Sequence, residues 1–136
     1  MTHPARSARR RIQREHRGTV RAVDACADAV ADAWDGPLAT DRAAVVDPLR
    51  RRLAARGVLE TLPRVLADAV DAAGFELPAT PVPSPPYVAV TSRGPILRAT
   101  VDPGRLVIRL DAFEVVRDPD PGYRRLDGVA LSVALA

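Results

Sequence analysis

Five prolines fall within the eleven residues 77–87, LPATPVPSPPY. Proline lacks the amide donor and fixes φ, so this segment is neither a helix nor a central strand. It divides the chain in two and should run as an extended connector with polyproline II character. Its simplest use is as a spacer; docking to a proline-reading domain is the alternative. The 136 residues fit one domain. That domain comprises a helical half over 1–76, the connector over 77–87 and a sheet half over 88–136.

Before the connector the apolar period is helical. Ile12, His16, Val20, Val23, Ala27, Val30 and Trp34 recur at steps of four and three, which puts them on one face of a helix over 7–34. A second stripe is basic through Arg10, Arg14, Arg17 and Arg21, then acidic through Asp24, Asp28, Asp32 and Asp35. That order opposes the helix dipole, so apolar burial must hold this helix. Asp35-Gly36-Pro37 ends it, with Gly36 as a left-handed cap. Thr40 or Asp41 can cap the next segment, in which Asp47 and Pro48 read as N-cap and first helical residue. Gly57 stops that helix. A third carries Leu59, Leu62, Leu66, Ala69 and Val70, and Gly74-Phe75 is a strong C-terminal signature.

After the connector the period changes to two. Val88 and Val90 alternate, Arg93-Gly94 turns, and a second strand runs over 96–101. Asp102-Pro103-Gly104 turns again. Leu106, Ile108 and Leu110 share one side of the next strand, and residues 111–117 extend it or bend away. Val129, Leu131, Val133 and Leu135 align on a last strand. The fold class is therefore α+β: three N-terminal helices packed on one face of a three- or four-stranded antiparallel β-meander.

All 20 basic residues are arginine and none is lysine. Asp outnumbers Glu, and the bias reaches every segment, as GC-rich coding produces. Arginine position therefore says more than arginine identity. Residues 1–21 hold seven arginines and one acid, whereas residues 22–80 are net acidic and residues 81–136 nearly balanced. The basic excess is an N-terminal arm of Arg6, Arg9, Arg10, Arg11, Arg14, Arg17 and Arg21, the layout that suits an anionic partner. The strand period places Tyr87, Arg98, Arg105 and Arg109 on the sheet face away from the helices, a surface where a single strand of nucleic acid could lie. Ile96 and Val107 would be exposed there, as on a dimer surface.

Other chemistries find little support. His3, His16 and Cys26 lack metal-site spacing. His16 reads as a boundary histidine with a hydrogen-bond partner and Cys26 as a buried structural thiol. No phosphate loop or nucleophile elbow is present. Asp111 and Glu114 are the one acid/base candidate. No apolar run is long enough to span a bilayer, and residues 1–17 have no secretory h-region. One cysteine suits a reducing cytoplasm.

The run YVAVTSRGPILRATVDPGRLVIRLDAFEVVRDP, with the prolines before it, resembles the C-terminal half of small uncharacterised haloarchaeal proteins over residues 83–119. The resemblance implies a GC-rich archaeal source and carries no assigned activity.

These readings converge on a cytoplasmic, non-enzymatic binding or regulatory module without cofactor. Its arginine arm would contact nucleic acid or an acidic protein. The alternatives are a protein-interaction or homodimerisation domain, and a small enzyme using Asp111 and Glu114.

Overall fold

The computed structural model describes residues 3–102 and 104–136. Four helices, α1 (Pro4–Glu15), α2 (Arg17–Asp32), α3 (Ala43–Ala55) and α4 (Val58–Ala72), precede the connector. The strands are β1 (Leu38–Ala39), β2 (Val88–Val90), β3 (Pro95–Thr100), β4 (Arg105–Val116) and β5 (Gly122–Leu135). They form one antiparallel sheet in the order β1-β5-β4-β3-β2. The α+β class holds, with four helices instead of three and five strands instead of three or four.

The single helix expected over 7–34 is two helices that meet at His16, whose φ of −123° is not helical. The apolar stripe survives the break: Ile12, Val23, Ala27 and Val30 are all buried. What changes the chain direction is tertiary. His16 Nε2 lies 2.7 Å from Asp68 Oδ2 on α4, and Arg11 Nη1 lies 2.7 Å from Asp68 Oδ1. One α4 carboxylate thus holds the end of α1. α2 stops at Asp32, and Gly36 is not among the positive-φ glycines, so the expected left-handed cap is absent.

Pro48 corrects a second expectation. It is not the first residue of a helix but lies inside α3. A proline there leaves the carbonyl four residues earlier without its amide partner. That carbonyl belongs to Ala44, and the Trp34 indole Nε1–H donates to it at 3.2 Å. Asp41 serves the entry of α3, its Oδ1 accepting from the Ala43 amide at 3.0 Å. The end of α4 matches its sequence signature. Gly74 has φ 85°, its amide donates to Asp71 O, and the Phe75 amide donates to Val70 O.

The connector is irregular, as its prolines require, and closes in a turn where the Tyr87 and Val88 amides both donate to Ser84 O. β2 and β3 form a tight hairpin through Ser92 and Arg93. Gly94, with φ 141°, sits so close to the Leu110 carbonyl that no Cβ fits there. The second turn expected from sequence includes Pro103, which lies outside the described residues.

Residues 111–116 continue β4. The Ala112 and Phe113 amides both donate to Arg93 O, which marks a β-bulge and turns both side chains inward. On β5 the pairing jumps from Ala130 to Arg125 across the same bulge. The last strand therefore starts at Gly122, seven residues earlier than Val129, and its first part pairs with β1. The core lies between the sheet and the helices, and Phe113, Ile12, Leu49, Leu62, Leu97 and Ile108 are fully enclosed.

Candidate anion-binding surfaces

Burial of Ala8 and Ile12 fixes the rotation of α1. Arg11 falls on the flank facing α4, and is half-buried against Asp68 with Asp71 at 3.9 Å. Arg9 falls on the other flank. Its Nε donates to Leu131 O at 3.3 Å, on the edge of β5 that β1 leaves uncovered. Arg6, Arg10, Arg14, Arg17 and Arg21 are exposed and make no ion pair among the described residues. The seven arginines of the arm are therefore not equivalent: Arg11 is structural, Arg9 caps an edge, and five face solvent.

The acids that follow them are used internally. Arg125, on an inward position of β5, donates to Asp24 through Nη2 and to Asp28 Oδ1 at 3.2 Å. It also donates to the carbonyls of Ala112, Leu126 and Asp24 at 2.8–3.1 Å. Its guanidinium carbon lies 5.9 Å from the centroid of the Phe113 ring, which in turn sits 5.6 Å from Trp34. A planar fork is the side chain that can fill so many acceptors at once. Arg125 thereby ties α2 to the bulge.

At Asp68, burial acts to raise the carboxyl. The hydrogen bonds from His16 and Arg11, with their charges, outweigh it and hold the group below the ordinary carboxylate range. Burial pushes the Cys26 thiol up, against the pull of Arg56 and Arg52; Cys26 is enclosed in α2.

On the far face of the sheet, Arg98 lies opposite Val107, Thr100 opposite Arg105, and Ile96 opposite Arg109. Arg98 and Arg105 are diagonal neighbours, within mutual reach of such long side chains. Both line a cleft of about 190 Å³ with Thr100 and Tyr87, walled by Leu77, Pro78 and Pro86 of the connector. Sequence alone could place Tyr87, Arg98 and Arg105 on a common face. The connector as a wall has no sequence signal beyond its position. Arg109 is exposed but stands outside the cleft. Ile96 is only 8% exposed, so the surface apolar patch expected from Ile96 and Val107 does not form; Val107 is half-buried. The large apolar side chains that are exposed among the described residues are Leu38 and Val82.

Glu114 pairs with Arg124 across β4 and β5, and Asp111 lies beyond the bulge. Neither carboxylate lines that cleft. Among the described residues there is no cluster of three metal-ligating side chains, and no helix is long and apolar enough to cross a membrane.

A family model described as a domain of unknown function, DUF7988, matches residues 6–136. The chain belongs to the DUF7988 family. The match takes in all seven arginines of the arm and the whole cleft, so both surfaces are parts of the DUF7988 domain. The family is uncharacterised, as the sequence resemblance implied. No curated protein and no solved structure matches the chain.

Proposed function

We propose that the protein is a non-enzymatic binding module whose α1–α2 surface grips the phosphate backbone of a nucleic acid. The five solvent-facing arginines, without ion-pair partners among the described residues, carry this reading. Arg6, Arg10 and Arg14 follow one another at four-residue steps, about 6 Å apart along the axis. Like charges at that spacing destabilise a helix, and bases near its N-terminus oppose the dipole. An anion lying along the row relieves both costs. The row is also held still, because Ala8, Ile12 and Arg11 fix α1 to the body.

A titration of duplex and single-stranded DNA and RNA over a salt series tests this. Each phosphate contact contributes about −0.9 to the slope of log K against log salt on duplex DNA. Arg10→Ala/Arg14→Ala/Arg17→Ala should weaken binding regardless of sequence and flatten that slope by about 2–3. Unchanged affinity in the triple variant overturns the reading. Binding of an acidic polypeptide in place of nucleic acid under the same conditions would transfer the surface to an acidic protein partner. A haloarchaeal source belongs to the same proposal. It adds a demand, because at 1 M salt the Debye length is about 3 Å, and only close phosphate contacts would persist.

A further inference from the structure

We propose that the cleft between the proline-rich connector and the open sheet face is a second, separate site, which takes the phosphomonoester group of a compact ligand. Arg98 and Arg105 enter it from neighbouring strands as diagonal neighbours. Neither makes an ion pair among the described residues. Two guanidinium groups facing one small space repel each other until an anion stands between them. The guanidinium fork binds phosphate oxygens in pairs, so two forks can engage a phosphate that carries a free edge on either side. Thr100 lies directly across from Arg105 and two residues from Arg98 on the same face. Its hydroxyl makes no hydrogen bond among the described residues and supplies a third donor.

The cleft sets the size of the group held between the two arginines, and past Leu77, Pro78, Thr100 and Arg105 it opens into a wider depression of about 1100 Å³. About 190 Å³ corresponds to the liquid volume of roughly six waters and lies below the range typical of drug-sized ligands. A phosphate with a small carbon skeleton fills it. Leu77, Pro78, Pro86 and Tyr87 make the opposite wall apolar, which suits that skeleton. The wall is fixed in place: the Arg98 amide donates to Tyr87 O at 2.8 Å, and the Tyr87 amide donates to Ser84 O at 3.0 Å. Both arginines stand on paired strands. The backbone around the site is thus preorganised, which limits what binding must spend on ordering it.

Calorimetric titration of the full chain at low salt with ribose 5-phosphate, ribose, inorganic phosphate and oligothymidylate provides the test. Ribose 5-phosphate should bind with one-to-one stoichiometry and ribose should not bind. Arg98→Ala and Arg105→Ala should each weaken binding by about tenfold or more, the loss of a charge-assisted hydrogen bond. Both residues are exposed, so circular dichroism should show both variants folded. Thr100→Val should cost less, and Arg10→Ala/Arg14→Ala/Arg17→Ala should leave the affinity unchanged. That last arm separates this site from the α1–α2 surface. Ribose 5-phosphate affinity unaltered in Arg98→Ala and Arg105→Ala would overturn the proposal. Binding of oligothymidylate at these arginines without binding of ribose 5-phosphate would overturn the assignment to a compact ligand. Inorganic phosphate binding as tightly as ribose 5-phosphate would remove the role of the apolar wall.

Discussion

Two charged side chains, Arg125 and Asp68, tie helices to the rest of the fold, and each is met by partners from elsewhere in the chain. Arg125→Ala removes bonds to two carboxylates and three carbonyls. A loss of about 2–3 kcal/mol is expected in a urea titration, in line with hydrogen bonds to charged groups. Arg125→Lys should recover little of it, because an ammonium lacks the fork. Asp68 contributes differently. Its carboxyl is depressed in the folded chain, so its stabilising effect is complete above the unfolded value of about 3.9. It is lost as pH falls below that value and through the folded one. Asp68→Asn should therefore lower the melting temperature near neutral pH. It should also reduce the loss of stability on acidification below about pH 4 relative to the parent. An equally steep acid limb in the variant would show that other carboxylates govern it. The groups facing Asp68 are Arg11 and His16, with Asp71 nearby.

At the scale of elements, α3 keeps a proline in its interior because Trp34, just after α2, lends it a donor. The Trp34 indole and a restored amide at position 48 would compete for the same Ala44 carbonyl. Trp34→Phe in the parent should cost about 1–3 kcal/mol, the penalty for an unsatisfied carbonyl. In a Pro48→Ala background the same change should cost less, since the helix can then bond Ala44 O itself. A double-mutant cycle reads that coupling directly. The same device shows what is legible in a sequence. The connector, the β2–β3 hairpin and the Gly74-Phe75 cap follow from proline chemistry and turn residues, which act locally. The break at His16, the interior position of Pro48 and the first half of β5 do not, because each depends on a distant partner. Arg125 hides β5 most effectively. A charged residue at an inward position interrupts the alternation, and only Asp24 and Asp28, about a hundred residues earlier, neutralise it. β1, with two residues, is too short to carry a period at all. The cleft is half legible. Period two puts Arg98 and Arg105 together, but the connector's return over them is a tertiary event.

Across the whole molecule, the helices cover one sheet face and the arginines of the other face remain open. A face-to-face dimer through that open face would bring Arg98, Arg105 and Arg109 of each copy together, so like charges oppose it. The uncovered stretch of β5 is a different matter, since an open edge templates strand pairing. α1 shields it, with Arg9 bonded to Leu131 O. Deleting residues 3–15 should lower the melting temperature and cause concentration-dependent self-association in light scattering. A deleted chain that stays monomeric and equally stable would contradict that role for α1. Deletion is for this reason a poor probe of binding, and point substitutions in the arginine row are the cleaner one. The last strand is thus linked to the first two helices, since Arg9 of α1 meets Leu131 and Asp24 of α2 meets Arg125. During synthesis, α1 and α2 leave the ribosome long before their β5 partners exist. α1 can pack on α4 and α2 on α3 once those helices emerge, but their contacts with β5 form only after that strand has been translated.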